Sequence, residues 1–156
     1  MAKNFQTLDF DSSRPPSPFM NESHHAWRRE LRKFVEREMM PFADEWDEKG
    51  EIPLELYKKA SDFGLLRMGY PEEYGGIKDG LDRFHSIVTS EELARLGAGG
   101  INASLMVHGI GLPPILAVGD AAMKQRIAPP VLAGDKRISL AITEPSGGSD
   151  VAQLKT

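Results

Sequence analysis

The 156-residue chain contains no cysteine, which excludes disulfides, thiolate catalysis and Cys-based zinc sites together. No stretch approaches the ~18 consecutive apolar residues of a membrane span. Positive charge is not in excess: the formal net charge is −4, which gives no invitation to nucleic acid or an anionic membrane. The opening MAKNFQTLDFD lacks the apolar core of a secretion signal and the Arg-rich, acid-poor pattern of a transit peptide. A cytoplasmic, bacterial location is therefore expected. The familiar catalytic arrangements are missing as well. There is no Ser-His-Asp set and no carboxylate dyad. The phosphate loop Gly-x-x-x-x-Gly-Lys-Ser/Thr is absent, and Gly147-Gly148 falls short of the dinucleotide fingerprint.

What is present describes a globular chain that can bury a core, 40% hydrophobic and 27% charged. Residues 1–22 read as a flexible tail, with turn formers concentrated in Ser12-Ser-Arg-Pro-Pro-Ser-Pro18. From Ser23 the pattern is helical: Trp27, Leu31, Phe34, Val35, Met39, Phe42 and Trp46 recur at three- and four-residue steps. Ser23 is the expected N-cap, Gly50 the stop, and Pro41 the site of a kink or break. A second helix is expected from Pro53 to a stop at Gly64, then loop over residues 65–80. A third begins near Asp82 and ends in Gly97-Ala-Gly-Gly100. A fourth, residues 101–109, is apolar nearly all round and is expected to be buried. Pro113-Pro114 should open a short helix ending at Gly119, and Asp120 should cap a last one over 121–127, before Pro129-Pro130.

Only then does a strand pattern appear, in residues 138–142. A lone strand cannot satisfy its own edges. The order predicts a complete helical domain over residues 23–136, followed over 137–156 by the first strand and loop of an incomplete β domain. The fold class is thus mainly α.

The histidines point to no metal. His24 and His25 are adjacent and cannot both face one ion from a single helix side, His85 is placed on a charged face, and His108 reads as a satisfied polar residue near a helix end. Arg28, Arg29, Arg32, Lys33 and Arg37 alternate with glutamates and read as a solvated face. Tyr70 and Tyr74 read as packing residues of their loop.

The segment after the strand pattern, Thr143-Glu144-Pro145-Ser146-Gly147-Gly148-Ser149-Asp150, offers hydroxyls and N–H groups on a backbone that glycine lets a ligand approach. Alone it is a surface turn. It occurs, however, with Gly69-Tyr-Pro-Glu-Glu-Tyr-Gly-Gly76, Glu91-Glu-Leu-Ala94 and an apolar helix, in that order. Together these resemble the N-terminal helical domain of acyl-CoA dehydrogenases, over roughly residues 26–156.

The resemblance implies FAD as cofactor and an acyl-CoA thioester as substrate, dehydrogenated to the trans-2-enoyl-CoA with hydride passing to flavin N5. It makes Leu140, Ala141, Ile142, Thr143 and Ser149 flavin contacts. Ser149, Met106 and Ile110 would face the substrate, although Met106 and Ile110 also read as plain core. Where many relatives have Gly-Ala-Gly-Ser, this chain has Ser146-Gly-Gly-Ser149, which keeps the path of small residues but leaves the role of Ser146 open. The implied partners are a flavin-type electron acceptor and further copies of the chain. The family's catalytic glutamate lies in a C-terminal helical domain beyond residue 156, and Glu144 belongs to the Thr-Glu-Pro turn. No catalytic residue is therefore assigned here, and this stretch alone is expected to be inactive. A non-catalytic helical partner and a same-fold flavin oxidase or monooxygenase are the alternatives.

Overall fold

The computed structural model describes residues 15–155; the first fourteen residues of the expected tail lie outside it. Its seven α-helices are α1 (Glu22–Glu38), α2 (Ala43–Lys49), α3 (Leu54–Phe63), α4 (Arg83–Ala94), α5 (Gly99–Met106), α6 (His108–Val118) and α7 (Ala121–Leu132). Short 3-10 turns occupy Met40–Phe42, Glu72–Tyr74 and Val151–Gln153. The expected mainly helical class is what the described residues adopt.

The N-cap of helix α1 lies two residues before the expected one. Asn21, not Ser23, is the N-cap, its side chain accepting from the Ser23 N–H at 2.9 Å and the His24 N–H at 3.2 Å. His24 reciprocates, its Nδ1 accepting the Asn21 N–H at 2.9 Å. An imidazole here does the job usually given to a Glu or Gln at the third helical position. Helix α4 repeats the device: Asp82 accepts from the Phe84 and His85 N–H groups, and His85 Nδ1 accepts the Asp82 N–H at 3.2 Å. The break at Pro41 occurs as expected, within the 3-10 turn. Gly50 and Gly64 close α2 and α3 in the left-handed conformation.

The α1–α4 interface carries a row of polar contacts. Because His24 Nδ1 is an acceptor, its Nε2 bears the hydrogen and donates to the Asp82 carboxylate at 2.9 and 3.0 Å. One turn on, Trp27 Nε1 donates to Thr89 Oγ1 at 2.9 Å. Arg28 then bonds both Glu91 and Glu92, and Arg32 grips Glu92 with two N–H groups at 2.8 and 2.9 Å. Glu92 is 1% exposed. Arg28 and Arg32 therefore belong to a helix–helix contact, not to the solvated face expected of them; Arg29 and Lys33 do lie in solvent. Sequence alternation cannot separate these cases, since a basic residue paired on its own helix and one paired across an interface look alike.

Two apolar clusters form the interior. The first joins Leu31, Phe34 and Val35 of α1, and Met39 just past its end, to Trp46, Leu56, Leu65, Leu93, Ile101 and Leu105, with Phe63 stacked on Phe34 at 4.7 Å. The second gathers Leu112 of α6 with Ala128, Val131 and Leu132 of α7, with Tyr70, Tyr74 and Ile138 packed against it. The tyrosines are packing residues, as expected. Gly134 ends α7 at φ +73°, and a Cβ there would sit 2.5 Å from the Tyr57 carbonyl oxygen. Glycine is what allows the end of α7 to reach α3, where Ser61 Oγ donates to the Leu132 carbonyl at 2.7 Å.

Both proline pairs lie inside helices, Pro113-Pro114 in α6 and Pro129-Pro130 in α7, against the expectation that they would open one helix and follow the other. The physical reason is shared. The carbonyls that lose an N–H partner belong to Gly109, Ile110, Gln125 and Arg126, all exposed, so water can satisfy them. Burial of Leu112, Val131 and Leu132 outweighs the lost bonds.

The apolar run is not buried all round either. Ile101, Leu105, Gly111 and Leu112 face inward, while Ala103, Ile110, Pro113, Pro114 and Val118 are exposed. The helical run Gly99–Val118 is long and apolar enough to cross a membrane by length and composition. It is interrupted at Val107 and contributes residues to both cores.

Removing one partner of a buried charge network leaves the others uncompensated. Glu92→Ala should cost about 3–5 kcal/mol, measurable as a lowered urea midpoint. Partial desolvation by itself would raise the Asp82 carboxyl, but the His85 ring nitrogen 3.0 Å from Oδ1, the N–H of His24 Nε2 and the backbone N–H groups of His85 and Phe84 outweigh it, holding it at about 2 against an ordinary 3.8. The folded state thus binds fewer protons here than the unfolded chain, so this contribution is present above about pH 4 and is lost as pH falls toward 2. Thermal midpoints of Asp82→Asn across that range should show a shallower acid limb than the parent chain.

Candidate functional site

Residues 138–142, the expected strand, run as irregular backbone. Among the described residues, no backbone hydrogen bond joins 138–143 to another backbone group. The strand pattern is present without a ladder, because the described chain offers it no neighbouring strand. Its start is anchored by packing: Ile138 rests on α6 at Gly111, where a Cβ would lie 3.0 Å from Ile138 Cγ1. Beyond it Ser139, Leu140 and Ala141 are exposed and Ile142 is half-buried.

The loop itself is folded tightly. Glu144 N–H donates to the Gly147 carbonyl at 2.8 Å, and Gly147 N–H donates back to the Glu144 carbonyl at 3.1 Å, with Pro145 and Ser146 at the corner. Gly148 then passes directly beside Thr143. A Cβ on Gly148 would be 3.0 Å from Thr143 Oγ1 and 3.3 Å from its Cγ2. A side chain would displace Thr143, so glycine brings the backbone next to Ser149 up against it. After the 3-10 turn Val151–Gln153, the Lys155 N–H donates to both Glu144 carboxylate oxygens, at 3.1 and 3.3 Å.

The structure thus brings together the Thr143 hydroxyl and the backbone adjoining Ser149, both residues exposed, with the apolar Leu140 and Ile142 leading in. Hydroxyl and N–H donors beside an apolar approach suit a flat heterocycle with polar edges and an attached anion. The close passage at Gly148 leaves the face over Thr143 free of a side chain, so these residues fit such a group.

Met106 and Ile110 lie elsewhere in the fold. Met106 is half-buried against the first core, and Ile110 is 60% exposed on α6, next to the Gly111 on which Ile138 rests. A cleft of about 610 Å³ lined by Met20, His25, Arg28, Arg29 and Lys33 lies along α1 and includes none of the candidates.

His24, Asp82 and His85 place three donor atoms within 4.8 Å of one another, an arrangement the sequence reading missed. His85 is buried, not on a charged face. Its signal was present as the parallel spacings Asn21-x-x-His24 and Asp82-x-x-His85. His24 turns a proton-bearing nitrogen to Asp82, and His85 Nδ1 accepts the Asp82 N–H. A metal would have to displace that proton and that capping bond, so the cluster is built to start two helices. His108 is a buried polar residue whose pKa is lowered by burial, against hydrogen bonds with the Leu105 and Leu66 backbone.

Against known proteins, residues 21–135 match the family model of the acyl-CoA dehydrogenase N-terminal domain. The chain is 36% identical over 139 residues to the 3-(aryl)acrylate reductase of Clostridium sporogenes, covering 88% of this chain and 36% of that protein. A probable acyl-CoA dehydrogenase from Mycobacterium abscessus superposes with a TM-score of 0.80 at 42% identity, over 87% of this chain and 36% of that one. The acyl-CoA dehydrogenase of Bacillus anthracis, solved with FAD, gives 0.72 at 32% identity, over 90% and 24%. The chain belongs to the acyl-CoA dehydrogenase family. It spans 25 to 36% of the length of these curated relatives.

Amides without partners exchange at nearly the intrinsic rate. In a dilute monomer, hydrogen exchange across residues 139–143 should be fast beside that of α1 and α4. Strong protection there would contradict the unpaired backbone.

Proposed function

We propose that this chain is the N-terminal portion of an FAD-dependent acyl-CoA dehydrogenase, with residues 23–136 as its helical domain and 137–156 as the start of its middle β domain, after a tail over 1–22. The observation that carries the reading is the Thr143–Gly148 contact. It sets a hydroxyl beside an unobstructed backbone in a chain that otherwise matches the family's N-terminal domain.

In this reading the Thr143 hydroxyl and N–H donate to the pyrimidine edge of the flavin, where donors stabilise negative charge. Leu140, Ala141 and Ile142 provide the surface leading to it. Ser149 offers a hydroxyl and N–H pair to the anionic part of the cofactor and of the acyl-CoA, while Met106 and Ile110 contribute to the acyl side. When bound, FAD supplies the hydride acceptor for oxidation of the acyl thioester between Cα and Cβ. The proton at Cα needs a base within hydrogen-bond reach. Glu144 does not serve, since its carboxylate is engaged by the Lys155 N–H. The base belongs to the C-terminal domain of a whole enzyme, which would also pass electrons to a flavin-type acceptor and assemble as a homo-oligomer.

The test is to titrate FAD into the purified chain and follow amide resonances. Shifts concentrated at residues 140–143 and 148–149 are expected, and a flat response there would remove the assignment. Any FAD retained, seen by absorbance at about 450 nm, should stay oxidised when acyl-CoA is added. Bleaching by this chain alone would mean that it does hold a base.

A further inference from the structure

The candidate loop is closed by a side chain that takes no part in the contacts assigned to it. The bonds between Glu144 and Gly147 fix only the four residues of the turn. Past Ser149 the described backbone bonds are local, Gln153 N–H to the Asp150 carbonyl and Leu154 N–H to the Val151 carbonyl. Among the described residues, the incoming 138–143 have no ladder to hold them. What ties the returning segment across the turn is the Glu144 carboxylate, which receives the Lys155 N–H on both oxygens, eleven residues along the chain.

We propose that Glu144 is a positioning residue for the flavin loop: by clamping the Lys155 N–H it holds residues 148–150 against Thr143. The clamp stands on geometry alone; its consequence for FAD rests on the flavin reading above. Three features favour it. The acceptor is a carboxylate, which strengthens the hydrogen bond over a neutral one. Glu144 is half-buried, although its neighbours Thr143 and Pro145 are exposed, so the side chain lies along the loop instead of projecting into water. The closure also restricts the path of Gly148, whose backbone runs so near Thr143 that an added Cβ would lie 3.0 Å from its Oγ1. Aspartate, one methylene shorter, would not reach, whereas glutamine keeps one of the two acceptor oxygens.

The experiment compares Glu144→Ala, Glu144→Gln and Glu144→Asp with the parent chain by amide exchange, thermal melting and FAD titration. For Glu144→Ala, exchange at Lys155 and Ser149 should rise about tenfold, and FAD binding should weaken by a similar factor. The melting midpoint should hold, because the loop lies outside both apolar clusters. Glu144→Gln should recover most of the protection and Glu144→Asp little. Unchanged exchange in Glu144→Ala overturns the clamp. Faster exchange with unaltered FAD affinity overturns the positioning role while leaving the flavin reading intact. If the parent chain fails to bind FAD, the flavin reading falls and the positioning role with it, and the exchange data still decide the clamp.

Discussion

The buried carboxylate of Glu92 is the constraint on which the helical domain depends. A charge at 1% exposure is tolerated only with partners that balance it and occupy its oxygens. Arg28 and Arg32 do so from α1, fixing both the rotation of α1 and its register on α4. Trp27 and His24 then meet Thr89 and Asp82 in sequence along the same face. An apolar seam would tolerate a slide of one helix along the other; this polar row does not. Its value lies as much in fixing one arrangement as in free energy, since the cost of dehydrating the charges offsets much of their attraction.

With α1 and α4 set, the remaining elements are placed by two apolar clusters joined through one nearly continuous helical run. Leu105 closes the first and Leu112 the second. The run therefore presents inward faces to both cores and leaves Ile110 and Val118 in solvent. The departing segment is fastened to that run at Ile138 and then finds no backbone partner among the described residues. The loop that follows has to take its shape from its own bonds, which is why the turn at Glu144, the glycine at 148 and the return to Lys155 carry the geometry of the candidate site.

Much of this was legible in the chain. The three- and four-residue steps marked α1 and α3, glycines 50 and 64 marked the ends of α2 and α3, and Asp82 and Asp120 marked two starts. These signals are local: a cap, a left-handed glycine or an apolar stripe acts within a turn of itself. The proline pairs misled because local chemistry predicts a break, and only tertiary burial of their neighbours kept the helices running. The site was legible as a composition, hydroxyls and glycines after a strand pattern, but not as a shape.

By itself, the sequence determined the helical class, the break at Pro41, the caps at Asp82 and Asp120, and the set of small and hydroxyl residues at 143–149, because each depends on interactions among neighbours in the chain. Only the tertiary structure decided that Arg28 and Arg32 turn inward, that His24 reaches Asp82, that the strand pattern runs unpaired among the described residues, and that Thr143 lies against Gly148 with Glu144 reaching Lys155. The physical reason is the same in the first three cases. Whether a charge, a ring nitrogen or a backbone amide finds a partner depends on groups brought near by folding, and their separation along the chain, 64 residues for Arg28 and Glu92, carries no local signal.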